Sequence, residues 1–209
     1  MRKKTDEHIN LDDVVVLRVM CDQRRTCPCD DGDGQWQLYS FNRRHTRFKH
    51  PADFDMEELA PMFEAGLAFR LGYFEHGLCR WTFSGEQPDD RWDAVPFAGL
   101  LIWEEAEDNL GPKDYEGRKA DARHFLEQYT HWCNGEVYEF QTSEEADDEY
   151  AGWHGPLYGT DDLTAAVDAE LNGRPYFLCG DAAQYVDRSG IRAPEARDRR
   201  RGERRKSVQ

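Results

Sequence analysis

Tyr115–Cys133 reads YEGRKADARHFLEQYTHWC, and the reading of this stretch decides the fold. Ala122, Phe125, Leu126, Tyr129, Trp132 and Cys133 recur at steps of three and four. They therefore share one face of an amphipathic helix. Asn134-Gly135 follows as its stop, because glycine accepts the left-handed backbone that closes a helix. Residues 136–142 (EVYEFQT) then read as a strand leaving the helix.

Upstream, the pattern changes from helical to extended. Residues 14–20 (VVVLRVM) are β-branched and read as a buried strand. Residues 21–34 hold Pro28, Gly32 and Gly34 among several aspartates, which is turn chemistry. Residues 35–41 (QWQLYSF) suggest a second strand antiparallel to the first. Residues 56–63 carry short helical spacing that Pro61 is expected to break. Residues 67–74 and 78–83 read as a hairpin around Glu75-His76-Gly77, and residues 92–103 (WDAVPFAGLLIW) as a central strand entered through Pro96. Downstream, 161–172 read as a second helix with Leu163, Ala166, Val167 and Leu171 on one face. Thr160 would cap it and Gly173 would stop it, before a last strand at 175–179.

Runs of consecutive strands with few crossover helices predict an α+β fold. The expectation is a single domain with a largely antiparallel β-sheet and two main helices packed on one face. It would occupy residues 14–187, between a flexible lead at 1–13 and a disordered basic tail at 188–209.

Charge is unevenly distributed. The chain has 27 Lys and Arg against 42 Asp and Glu, a net −15. From Arg188 onward there are nine basic and three acidic residues, so the remainder carries 18 basic and 39 acidic residues, or −21. Such a body repels nucleic acid and favours a protein partner with a basic surface. The exposed acids Glu144, Glu145, Asp147, Asp148 and Glu149 are the first candidates for that contact. The aromatic, glycine-rich run Trp153-His154-Gly155-Pro156-Leu157-Tyr158 reads as a recognition loop, with Trp153, His154 and Tyr158 as contact residues. Nucleic acid is expected only at the tail, through Arg199, Arg200, Arg201, Arg204 and Arg205. The basic patch at 42–51 reads instead as a salt-bridge partner for the acidic body. No run approaches a membrane span, and no secretory leader precedes residue 14. The six cysteines therefore suggest reduced thiols in a cytoplasm and no contact with membrane.

The candidate chemistry is sparse. Cys21, Cys27 and Cys29 with His45 could offer ligands to zinc, although Cys-x-Cys is not the usual knuckle spacing, and no cofactor is expected. Asp30-Asp31-Gly32-Asp33-Gly34 fails as a calcium loop, because Cys29 and Ser40 stand where its first and last acids belong. His76 and Asp93, on neighbouring hairpins, could pair as acid and base. No nucleophile elbow, P-loop, zincin or dinucleotide motif occurs.

Several blocks resemble a group of uncharacterised, small acidic proteins of bacteriophages and prophages. They are Asp30-Asp31-Gly32-Asp33-Gly34 with Arg43-Arg44-His45; Tyr73-Phe74-Glu75-His76-Gly77; Arg91-Trp92-Asp93-Ala94-Val95 with Ala98-Gly99; and Glu127 through Tyr138, which contains WCNGEVY. The last is the most specific. The run Ala151-Gly152-Trp153-His154-Gly155-Pro156-Leu157-Tyr158-Gly159 departs from the relatives' glycine-aromatic segment. The resemblance implies no activity. It implies a phage-type accessory protein in the host cytoplasm, a possible host-takeover or anti-defence inhibitor rather than an enzyme. The alternatives are a metal-binding protein or hydrolase built on Cys21, Cys27 and Cys29, and a nucleic-acid adaptor using the basic tail.

Overall fold

A computed structural model of the chain describes residues 14–22, 27–30, 36–104, 114–142 and 153–186. The fold is α+β; the described residues form three α-helices and two four-stranded sheets, where the sequence suggested one sheet. Contacts divide the chain into two compact units. The expected lead, the tail, Glu144, Glu145, Asp147, Asp148, Glu149 and the five tail arginines lie outside the described residues.

The larger unit comprises Cys21–Tyr138 with Pro156–Gly159. Its sheet is built from β2 (Trp36–Ser40), β3 (Ala68–His76), β4 (Leu78–Phe83) and β5 (Ala94–Trp103), in the order β2-β5-β3-β4. Every neighbouring pair is antiparallel. Residues 92–103 were expected to form a central strand, and β5 is central, with β2 on Gly99–Trp103 and β3 on its other side. Pro96 is tolerated for two reasons. β2 does not reach it, and the pairing with β3 shifts register between Leu71 and Tyr73, where Pro96 has no ladder partner. The β3–β4 hairpin is tighter than the sequence suggested. His76 already pairs with Leu78, and Gly77 turns the chain alone at φ +84°.

Two helices belong to this unit. α1 (Met56–Ala65) runs through Pro61 without a break, contrary to expectation. In so short a helix Pro61 removes one hydrogen bond, and both ends are well closed. The Asp55 carboxylate accepts from the Glu57 and Glu58 amides, and Gly66 caps the other end in the left-handed region. α2 (Tyr115–Cys133) starts at Asp114, whose side chain accepts from the Gly117 amide. It buries Ala122, Phe125, Leu126 and Tyr129 against the sheet, and packs on β4. The core they share holds Trp36, Phe69, Tyr73, Trp81, Phe83 and Trp103. Burying each such side chain contributes about 1.5–3 kcal/mol, so this aromatic layer outweighs every surface ion pair in the unit.

Most of the residues of the other sheet, in the order β7-β6-β1-β8, fall in the smaller unit. The strands of this sheet are β1 (Val15–Cys21), β6 (Val137–Thr142), β7 (Trp153–Tyr158) and β8 (Tyr176–Cys179). β1 and β8 pair in parallel. α3 (Gly159–Leu171) buries Leu163, Val167 and Leu171, as its spacing predicted, and begins at Gly159 rather than after Thr160. The run Trp153–Tyr158 is a strand, not a loop: it pairs along one edge with β6, and the His154 ring stacks on Phe140 at 4.7 Å. No described helix is long and apolar enough to cross a membrane.

Candidate functional site

Within the larger unit, the basic segment after β2 folds back on its own strand. The Ser40 amide donates to the Arg47 carbonyl, and the Lys49 amide donates to the Ser40 carbonyl. Ser40 Oγ, fully buried, lies 2.7 Å from His45 Nδ1 and accepts from the Asn42 amide at 3.1 Å. This Ser–His contact is a hinge pin rather than a nucleophile, because a hydroxyl with no solvent access cannot meet a substrate. Its effect is to set the His45 ring edge-on against Tyr73 (5.1 Å) and Trp81 (5.5 Å). Burial lowers the His45 pKa, opposed by the Glu75 carboxylate, so the ring is neutral at pH 7.

His45, Tyr73, Trp81, Tyr129 and Trp132 line one side of a cavity of about 500 Å³, with Glu75, Cys79, Cys133 and Arg44 also in its wall. The sequence places these residues on three elements. Tyr73 and Trp81 face each other as a cross-strand pair of β3 and β4, rings 4.8 Å apart. Tyr129 and Trp132, one helical turn apart at the end of α2, close the array with centroids at 5.2 Å. The Tyr73 hydroxyl donates to Glu75 at 2.8 Å, which orients that exposed carboxylate at the rim. Burial, followed by that bond to a carboxylate, drives the Tyr73 pKa upward, so the phenol stays protonated.

Four thiols border this array. Asn134 spans to β4 with both ends of its amide. It accepts from the Cys79 amide at 2.9 Å and donates to the Cys79 carbonyl at 3.1 Å. Cys133, the preceding residue, is thereby set beside Cys79 in the wall of the same cavity. Their interaction lowers the Cys79 pKa and raises that of Cys133, and the neighbouring Trp81 side chain offsets part of the rise at Cys133. Cys27 and Cys29 form a second pair beneath Tyr129 in the buried core. Hydrogen bonding from Cys29, with help from the Arg47 charge, brings Cys27 down to about 7 and sends Cys29 upward.

The residues suggested for zinc divide between separate roles. Cys27 and Cys29 pair with each other, and His45 is engaged with Ser40. Among the described residues, no group of three His, Cys, Asp or Glu side chains is gathered as metal ligands. Arg47, from the basic segment, forms an ion pair with Asp30 and donates to Gln37 at 2.6 Å, a local partner as its charge suggested. His76 and Asp93 do meet, Nδ1 to Oδ2 at 2.7 Å, on an exposed corner. The bond raises the His76 pKa. Its stabilising effect is therefore present below the unfolded value of about 6.5, and is lost as pH rises through the folded value. Asp93→Asn is expected to bring the His76 titration, followed by its ring NMR signals, back toward about 6.5. An unchanged titration would show that the pair does not form in solution.

Of the suggested recognition residues, Tyr158 is buried, and Trp153 and His154 are half-buried in β7. The cavity's aromatic wall was missed by sequence reading. Its available signal was the alternation of Tyr73 and Glu75 on one strand, opposite Cys79 and Trp81 on the next. Comparison with family models, with curated proteins and with solved structures finds no match.

Proposed function

We propose that this chain is a protein-binding module that captures a basic surface, with one cationic side chain of its partner seated in the aromatic cavity. The observation that carries this reading is the wall of Tyr73, Trp81, Tyr129 and Trp132 beneath the Glu75 carboxylate. Aromatic faces attract a desolvating ammonium or guanidinium by about 0.5–2 kcal/mol, and a carboxylate at the rim adds charge complementarity. The excess of 42 acids over 27 bases supplies the longer-range attraction. The resemblance to phage accessory proteins makes a host or phage protein the partner class. The suggested acids at 144–149 would extend the same contact.

Arg44 stands in the cavity wall and opposes a cation, which gives the reading a sign-specific test. With the full chain and a short Arg/Lys peptide as probe, Glu75→Gln is expected to weaken binding about tenfold, and Arg44→Ala to strengthen it. Trp132 and Trp81 indole NMR signals should shift on binding. The affinity should fall as salt rises, because the Debye length shrinks to about 8 Å at 0.15 M. It should also fall once the pH drops through the His45 pKa, which burial holds below the ordinary imidazole value, because the ring then gains a proton and opposes the cation. Equal affinity for the wild type, Glu75→Gln and Arg44→Ala would overturn the assignment.

A further inference from the structure

We infer that Cys79 and Cys133 form a thiol–disulfide exchange site at the wall of this cavity, accepting oxidation from a low-molecular-weight disulfide. The inference goes beyond the cation reading and does not depend on it.

Three observations place the two sulfurs. Asn134 brackets the Cys79 backbone from both sides, which fixes the end of α2 against β4. Cys133 immediately precedes Asn134, so the same joint sets it beside Cys79 in one cavity wall. Both residues line the solvent-connected cavity, and Cys133 is exposed, whereas Cys27 and Cys29 are buried in the core. A small disulfide can therefore reach the first pair and not the second.

The mutual influence of Cys79 and Cys133 divides the two roles. The Cys79 pKa is lowered and that of Cys133 raised, so Cys79 carries the greater thiolate character and acts as the attacking sulfur. The Cys79 thiolate attacks one sulfur of the incoming disulfide. Its S–S bond breaks, and one thiolate leaves and takes a proton. Cys133 then loses its proton to solvent and attacks Cys79 Sγ, expelling the second thiol. Two cysteine thiols are oxidised, one external disulfide is reduced to two thiols, and the protons and electrons balance. The neighbouring Trp81 side chain, which lowers the Cys133 pKa, favours the anion that forms there in the second step.

The test incubates the folded, full-length chain with glutathione disulfide, blocks the remaining thiols by alkylation and maps the peptides. The expected product is about 2 Da lighter and carries one bridge, joining the peptides of Cys79 and Cys133. Cys133→Ser should stop at a stable mixed disulfide on Cys79. Cys79→Ser should react about tenfold more slowly at Cys133. A Cys27→Ser/Cys29→Ser double variant should form the bridge as the wild type does. Circular dichroism of each variant confirms that it is folded. The proposal is overturned if the bridge maps to Cys27 and Cys29, if both Cys79 and Cys133 end as separate mixed disulfides, or if both remain reduced in the folded chain. Because no cation is present, these outcomes are independent of whether the cavity binds one.

Discussion

Gly99→Ala is expected to destabilise the larger unit by about 3 kcal/mol, lowering the thermal midpoint by about 6–12 °C. Gly99 pairs with Ser40 of β2 on one side and with Leu71 of β3 on the other. A Cβ at this position would lie 2.3 Å from the Tyr39 carbonyl oxygen and 3.3 Å from Ser40 Cα. The obstructing atoms are backbone in a paired strand, so no side-chain rotation relieves the collision. The chain must separate β2 from β5, and β2 supplies Trp36 and Leu38 to the aromatic core. The matched control is Gly77→Ala. Gly77 needs φ +84°, but nothing lies within 4 Å of its added Cβ. That variant bears only the left-handed penalty of about 1–2 kcal/mol. Urea unfolding of the two variants separates close approach from backbone conformation. If Gly99→Ala were no more harmful than Gly77→Ala, β2 would not cross β5 at this distance.

How much of this architecture was legible depended on whether the signal was local. α2 could be read nearly to its ends, because Ala122, Phe125, Leu126 and Tyr129 repeat at the helical period and Asn134-Gly135 marks its stop. The strands of the larger sheet were visible in composition, and β5 was recognised as central from its apolar run. The division into two sheets was not. It depends on which strand edges meet, and no residue of 14–20 announces that β1 pairs with β8 rather than with β2. Pro61 shows the opposite limit. A rule about one residue gave way to caps at both ends of α1, which compensate for the single lost hydrogen bond. In Trp153–Tyr158, two glycine and proline positions suggested a loop, yet β6 provides enough pairing to hold the segment extended.

The site was less legible than the fold because its parts come from distant segments. His76 and Asp93 could be matched, since their hairpins are neighbours in sequence. Cys79 and Cys133 could not, because only the docking of α2 on β4, locked by Asn134, brings them together. Cys21, Cys27 and Cys29 stand close in the chain and suggest a shared site, whereas the structure pairs Cys27 with Cys29 in the core and leaves its exposed thiol, Cys133, elsewhere. His45 was singled out as a ligand. Its neutrality and its fixed ring instead make it a wall of the cavity, a role set by Ser40, which the sequence marks as nothing more than a strand end.

Trp81 joins stability and binding, and substitutions of graded size are expected to separate the two. Its ring is buried, contacts Tyr73 at 4.8 Å and Tyr129 at 6.1 Å, and forms part of the cavity wall. Trp81→Ala should cost about 3–5 kcal/mol, through lost burial and the void left between β4 and α2. Trp81→Phe retains an aromatic ring and most of the apolar contact, so the fold should persist. It offers a weaker face to a cation, by about 1 kcal/mol, or about fivefold in affinity for the Arg/Lys peptide. It also removes the indole that lowers the Cys133 pKa, so Cys133 should lose reactivity in the second exchange step while Cys79 still forms its mixed disulfide. Thermal unfolding, peptide titration and thiol mapping on this one variant therefore report on three different properties of the same ring. Unchanged peptide affinity in a folded Trp81→Phe chain would remove the indole from the cation site. Unchanged exchange kinetics would remove it from the sulfur chemistry, and neither result would imply the other.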